Sequence, residues 1–302
     1  MWIFDLAAFA AAFCVALSNL IAPNAIQHFG PVVFNCWRLA AALVALALLT
    51  TIRGSWTLIS PLELLALVTS SLIGIVIGDS AVYAAMYRLG PRRTAVLYAT
   101  NAPFAAVLGF LVLGEKLPAS KVIGIALVVV GVWIAIAYRE TEPTAPWEEV
   151  RGGLGPGIAF GLTGGFSAAL AALITRPIMA AGVDPIAAAS VRAAVGLVGL
   201  VVVARARASG SEGAVTAHML SRAALSGLLG MAVGMTLVLF ALSMRPTGVV
   251  TTLASTTRCC SSLSFGWSAG RDPHHKLGLT RRLPWPALPP CRAYSFDRAE
   301  RT

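Results

Sequence analysis

Two apolar segments of this sequence each carry a proline followed, two helical turns later, by an arginine. Pro31 and Arg38 form the first pair, and Pro185 and Arg192 form the second. A leucine–valine pair follows each arginine at the same spacing. The chain therefore contains a duplicated unit with one arginine repeated in an apolar segment of each half. Duplicated halves that meet around intramembrane charges are typical of secondary transporters, and such charges are functional hypotheses by default.

The composition places this unit in a membrane. The 302-residue chain is 57% hydrophobic and only 12% charged, about half the charge of a soluble domain. Its apolar residues form runs of about 20, which is long enough to cross a hydrocarbon core of about 30 Å. These runs lack the alternation of barrel strands. The sequence therefore predicts an all-α polytopic membrane protein, since helices satisfy their own backbone in lipid.

Eight complete spans are predicted, with a ninth that begins near Thr247 and stops at Thr257. The eight spans are residues 4–22, 31–52, 63–87, 94–113, 119–138, 155–175, 185–204 and 223–243. The first half has five spans, so a copy of it must enter the membrane from the opposite side. This arrangement is an inverted repeat.

Several short motifs, taken in order, resemble the EamA-like branch of the drug/metabolite transporter superfamily. The matching segments are Pro31–Arg38, Ala84–Pro91, Asn101–Phe104, Leu113–Leu117, Gly124–Gly131, Pro185–Arg192, Ala241–Pro246 and Ser255–Thr257. The resemblance covers about residues 4–257. It implies ten helices in two inverted five-helix repeats, cytoplasmic termini, and export or exchange of small metabolites or drugs without a bound cofactor. The second Gly-Glu motif and the tenth helix of that family are absent here.

We accordingly divide the chain into four parts. Residues 1–138 form the first EamA-like repeat of five transmembrane helices, residues 139–153 are a linker, and residues 154–257 are an incomplete second repeat. Residues 258–302 are basic and cannot span a membrane. We expect this tail to be disordered and non-native, the product of a shifted reading frame, with a genuine solvated tail as the alternative.

The buried arginines have two interpretations. Arg38 and Arg192 either snorkel to the nearer membrane surface and anchor their helices, or face a central cavity and bind an anionic substrate group or a carboxylate. An arginine within a span costs at least about 2.5 kcal/mol unless it is paired or hydrated.

Asp79 is the acidic residue placed deepest in a predicted span. It either pairs with Arg38, which offsets the cost of burial, or serves as a proton or cation site, or lies in a shallow, solvated position. Its counterpart in the second half is Gly234 or Met235, neither of which is acidic.

Other polar residues could line a pathway or simply bond neighbouring helices. They are Ser18, Asn19, Tyr83, Tyr87, Tyr98, Thr100 and Asn101. Asn101 is the strongest lining candidate because Pro103 should interrupt its helix. Glycines 153, 157, 161 and 165, continued by Gly164, form a ridge that serves close packing or a sliding surface.

These features favour a secondary transporter of a small organic solute that works by alternating access across the cell inner membrane. The alternatives are an intramembrane enzyme acting on lipid-borne substrates and a degenerate, non-functional transporter. The net charge of +10 is concentrated in short loops and the tail, without a basic stripe on a soluble fold, so no nucleic-acid partner is expected. The expected partners are the solute and membrane lipid, and no metal site, cofactor or catalytic motif is found.

Overall fold

The fold was obtained as a computed structural model. It describes residues 2–55, 59–114, 119–137, 153–207 and 216–244, together with Thr247 and Val250. These residues form helices and short connections, with no strand among them. We number the helices α1 (Trp2–Phe29), α2 (Pro31–Arg53), α3 (Pro61–Leu89), α4 (Pro91–Leu113), α5 (Ala119–Ala137), α6 (Leu154–Ala180), α7 (Pro185–Arg207) and α8, which joins Ala217–Gly227, Leu228–Met235 and Thr236–Met244.

Each of the eight predicted spans coincides with one of these helices, and the all-α class is confirmed. Seven helices are long and apolar enough to cross a membrane, and α5 contributes a shorter apolar stretch, Val122–Gly131. The predicted linker up to residue 152, most of the ninth span and the basic tail lie outside the described residues.

Single glycines join the first two pairs of helices. Gly30 has a φ of 78° and Gly90 a φ of 81°, values in the left-handed region that favours glycine. A proline follows each of them at the first helical position, where its missing N–H is not needed. These tight turns make α1 and α2, and likewise α3 and α4, antiparallel neighbours.

The two helices with matching sequences, α2 and α7, pack against each other in opposite directions. Thr50, near the end of α2, lies with its Oγ1 2.6 Å from Oγ of Ser190, near the start of α7. Leu43 and Leu197, at matching positions in the middle of each helix, belong to the same hydrophobic cluster. The duplicated segments are therefore inverted relative to each other, as the odd number of spans predicted.

The remaining helices pack reciprocally around this pair. The first helix of one half meets the third helix of the other: Ser18 on α1 donates a hydrogen bond to the carbonyl of Ser226 on α8 over 2.9 Å. In the equivalent contact with the halves exchanged, Ser70 on α3 donates a hydrogen bond to the carbonyl of Ala171 on α6 over 3.0 Å. If two copies are related by a twofold axis, each contact from the first copy to the second is matched by the same contact from the second to the first, as is seen here.

The third helix of each half widens into a π-helix at its centre. The segments are Leu72–Asp79 in α3 and Leu228–Met235 in α8, each 8 residues long. Because the two segments correspond, position by position, they fix Met235 as the counterpart of Asp79. π-Helical turns are rare and occur frequently at functional sites.

The glycine ridge of α6 receives α3 and α4. A Cβ atom on Gly157, Gly161 or Gly164 would lie 2.5–2.7 Å from the nearest side-chain atom of Leu89, Leu97 or Val82 respectively. These distances are too short for any side chain, so the helices approach along the ridge. The packing interpretation of the ridge therefore has direct geometric support.

Substituting Gly164 by leucine is expected to lower the free energy of unfolding by about 1–3 kcal/mol, the usual cost of overpacking. Gly155 is the matched control because nothing lies within 4 Å of an added Cβ there. Thermal denaturation of the detergent-purified protein measures both variants. Equal melting temperatures for Gly164→Leu and Gly155→Leu would contradict the packing role of the ridge.

Candidate functional site

The two repeated arginines occupy matching, enclosed positions. Arg38 and Arg192 are each only 5% exposed. Their Nη2 atoms lie 3.2 Å from where a Cβ would stand on Gly230 of α8 and on Gly74 of α3, respectively. Each guanidinium is thus covered by the π-helical segment of the opposite half, at corresponding glycines. This enclosure supports a central position over snorkelling to the membrane surface.

The backbone around the arginines repeats the same symmetry. The carbonyl of Arg192 accepts a hydrogen bond of 2.6 Å from Oγ of Ser71, whereas the carbonyl of Arg38 packs directly on Gly227. Ser71 and Gly227 are the residues immediately before the two π-helical segments. The two arginines therefore have corresponding backbone positions in the two halves.

Arg38 is bound by three polar or aromatic partners. Its Nη1 lies 3.2 Å from Oδ2 of Asp79 and donates to Oδ1 of Asn35, also over 3.2 Å. Its guanidinium carbon stands 5.3 Å from the centre of the Tyr83 ring. Of the three interpretations of Asp79, the ion pair with Arg38 is the one the geometry supports. The Asp79 side chain keeps 27% exposure, against 7% for Arg38, so the pair is open on the carboxylate side.

Asn35 is a site residue that the sequence predictions missed. It is fully buried and precedes Arg38 by one helical turn on the same face of α2. The signal was available, because residues three positions apart on a helix are neighbours. An amide beside a buried arginine therefore indicated a partner for it.

Arg192 has no such set of partners among the described residues. The Nε atoms of both arginines are buried without a hydrogen-bond partner there, but the Arg192 side chain takes part in none of the salt bridges of that part of the chain. Asp79 and Tyr98 are close enough to act on its charge electrostatically. The centre of the described fold thus holds two guanidinium groups and one carboxylate.

The other predicted lining residues separate into two groups. Tyr83 is buried against Arg38, and Tyr98 is half-buried and lies near both arginines. Asn101 is buried, and its Oδ1 accepts no hydrogen bond from the described residues. Asn19 is half-buried on α1, and no described contact brings it to the arginines.

The helix break predicted beside Asn101 is present. Helix α4 is interrupted at residues 99–100, one turn before Pro103, which has no N–H for the carbonyl of Ala99. That carbonyl instead accepts a long bond of 3.3 Å from the N–H of Ala102. Gly165 of the ridge lies against this break, next to Thr100 and Asn101.

Residues 2–137 match the model of the EamA-like transporter family. This part of the chain, somewhat less than half of it, is similar to EamA-like transporters. The match and the seven helices that are long and apolar enough to cross a membrane support a multi-pass membrane protein. The intramembrane-enzyme alternative is not favoured. The cluster of Arg38, Asp79, Tyr83 and Tyr98 lies within the matched EamA-like domain, while Arg192 comes from the second half.

Solved structures extend the likeness beyond this domain. One of them, described only as "Crystal structure of protein", superposes with a TM-score of 0.64 at 14% sequence identity and covers 88% of each chain. At this identity the similarity shows the fold alone. A search of curated proteins returned no match.

Proposed function

We propose that this protein is a secondary transporter, an exporter or exchanger, that moves a small organic solute across the cytoplasmic membrane by alternating access. The observation that carries the proposal is the group formed by Arg38, Asp79 and Arg192. These charges lie where the two inverted halves meet, which is the usual place of a substrate site in carriers built from inverted repeats. Charged groups so deep in a bundle face its interior or a cavity.

The arrangement of these residues provides a binding site for the solute and helix segments that can change conformation. We place the solute between the Arg38–Asp79 pair and Arg192, with Tyr98, Asn101 and, from α1, Asn19 along its path. The two π-helical segments and the break in α4 lie around this position and are the places where the helices can change their hydrogen bonding. Rocking of one half against the other would then expose the site to each side in turn.

The driving force has to come from a solute or ion gradient, since the sequence carries no nucleotide-binding motif. An intramembrane enzyme would need a second acid or an activated nucleophile near Asp79. In the described part of the chain, the acidic residues other than Asp79 stand toward helix ends, as Glu63 and Asp184 do. The geometry therefore favours transport over catalysis.

Counterflow in proteoliposomes tests the proposal. Vesicles loaded with a mixture of unlabelled metabolites are expected to accumulate a labelled member of that mixture when they contain the protein, prepared with the reading frame after Thr257 restored. Vesicles with the Asp79→Asn variant should accumulate at most about a tenth as much, since breaking a buried ion pair costs over 1.4 kcal/mol. Equal accumulation of label in protein-free and protein-containing vesicles, for every labelled metabolite, would argue against a transporter.

A further inference from the structure

The two arginines have matching backbone surroundings, but Arg38 has three direct side-chain partners that Arg192 lacks among the described residues. Arg38 is surrounded by Asn35, Asp79 and Tyr83. The repeat and the matched π-helical segments assign the counterparts of these three residues around Arg192. They are Ala189, Met235 and Leu239, all apolar.

These three apolar residues lie in the hydrophobic core or pack against it. Ala189 and Leu239 are at most 1% exposed, and Met235 packs against the same hydrophobic cluster. The repeat therefore places apolar residues at the three positions that correspond to the partners of Arg38, and Asp79 and Tyr98 are the polar groups recorded near Arg192. A buried arginine retains its charge, and a buried charge without a counterion is costly. The second half thus keeps the arginine and lacks its acid.

A substrate carboxylate would supply the missing acid. The guanidinium group binds a carboxylate through two parallel hydrogen bonds, which makes it the preferred partner of such anions. The formal charge of Arg38, Arg192 and Asp79 together is +1, which one monoanion neutralises. The buried Oδ1 of Asn101, which accepts no bond from the described residues, is available to accept one from a donor elsewhere on the same solute.

The charge at one end of the bundle fits an anionic solute as well. The end of α3 and the starts of α4 and α8 lie together there, with the end of α7, because α7 runs antiparallel to α2. Within the described residues, this end carries arginines and no acidic residue. The arginines are Arg88, Arg92, Arg93, Arg205 and Arg222. A basic rim raises the local concentration of anions.

We propose that the solute carries a single carboxylate and that this group binds Arg192 in the position that Asp79 occupies at Arg38. The inference rests on the proposed transport function and adds to it the chemical class of the substrate. The carboxylate completes the symmetry of the centre, so that each arginine faces one carboxylate when the solute is bound.

Matched acids and amides test this assignment by ligand-induced thermal stabilisation of the purified 302-residue chain. The probes are phenylacetate with phenylacetamide and lactate with lactamide, each pair differing in charge and little in shape, and inorganic phosphate. At least one acid is expected to raise the melting temperature with an apparent affinity tenfold or more above that of its amide. Stabilisation by phosphate alone, or equal shifts by acid and amide, would overturn the carboxylate assignment.

Substitutions test whether Arg192 is the residue that binds the carboxylate. Arg192→Gln is expected to weaken acid binding at least tenfold and Arg192→Lys to restore part of it. Arg53→Gln, which removes an exposed charge at the end of α2, is expected to bind as the unchanged protein does. Equal losses in Arg192→Gln and Arg53→Gln would overturn the inference. If Arg192→Gln does not fold, Arg192→Met serves instead, because its apolar side chain suits the surroundings.

The two proposals fail in different ways. Counterflow of an uncharged metabolite with no shift from any acid leaves the transporter and removes the carboxylate. Absence of both counterflow and stabilisation removes both proposals.

Discussion

The Asp79→Asn variant is expected to lose about 3 kcal/mol of unfolding free energy. This figure lies at the low end of the range for breaking a buried ion pair, because the carboxylate is 27% exposed. The substitution keeps the shape of the side chain but leaves the guanidinium of Arg38 enclosed without a counterion. Chemical or thermal denaturation of the purified protein in detergent measures the loss.

Three further variants separate the ion pair from general damage. Asp184→Asn removes a carboxylate that accepts a bond of 3.1 Å from the N–H of Ile186, and it should be near neutral, since asparagine caps a helix equally well. The double variant Arg38→Met with Asp79→Asn should recover much of the loss, because neither charge remains. Arg192→Met should be neutral or stabilising. Equal melting temperatures for Asp79→Asn and Asp184→Asn would show that the pair contributes nothing.

The fold was largely predictable because membrane spans are marked by composition. A run of apolar residues has few alternatives in lipid, and the repeated Pro31–Arg38 pattern disclosed the duplication. The ends of spans were less predictable. Residues 4–22 were assigned to the first span, whereas α1 continues through Pro23 to Phe29, and α6 likewise passes Pro177 and ends at Ala180. Hydropathy indicates where a segment leaves the lipid, whereas backbone hydrogen bonding determines where the helix ends, and the two positions need not coincide.

The charged residues at the candidate site could be predicted from the sequence, but the different surroundings of the two arginines could not. A charge in an apolar run is visible in the sequence, so Arg38, Asp79 and Arg192 could be named. The π-helical segments could not, because insertion of a wider turn changes no composition. Those segments decide between Gly234 and Met235 as the counterpart of Asp79, and they bring Gly74 and Gly230 against the arginines. The assignment of these charged residues, and of Asn19, Tyr83, Tyr98 and Asn101, to a substrate site or pathway stays a prediction.

Restoring the reading frame after Thr257 is expected to convert a weak or inactive transporter into an active one. Under the reading-frame hypothesis, insertion of one base at this point suffices. The residues after Thr257 are rich in Arg, Pro and Ser and offer no apolar run to complete a ninth helix or to form a tenth. We therefore expect the 302-residue chain to move solute poorly or not at all. The residues concerned lie outside those that the structure describes.

The genetic code supports a shifted frame. Cysteine codons begin with TG and most serine codons with TC, so that joining the preceding base gives codons for Leu, Met, Val, Ile or Phe only. Cys259, Cys260, Ser261 and Ser262 would all become apolar in this way. With G- or C-ending codons, and TTT for Phe265, residues 258–267 can read Pro-Val-Leu-Leu-Leu-Pro-Leu-Val-Trp-Leu. This run continues a membrane helix and places a proline beside Thr257, much as Pro103 follows the break in α4.

Two measurements decide the matter. Resequencing the gene should find one base missing in a run of cytosines near the Thr257 codon, with an intact downstream frame that reads as apolar, including an alanine- and valine-rich tenth helix from residues 281–290. Counterflow in proteoliposomes should then be at least tenfold faster for the restored chain than for the 302-residue chain, because only the restored chain has apolar sequence for both missing spans. If no single-base change yields an apolar run, the basic tail is genuine.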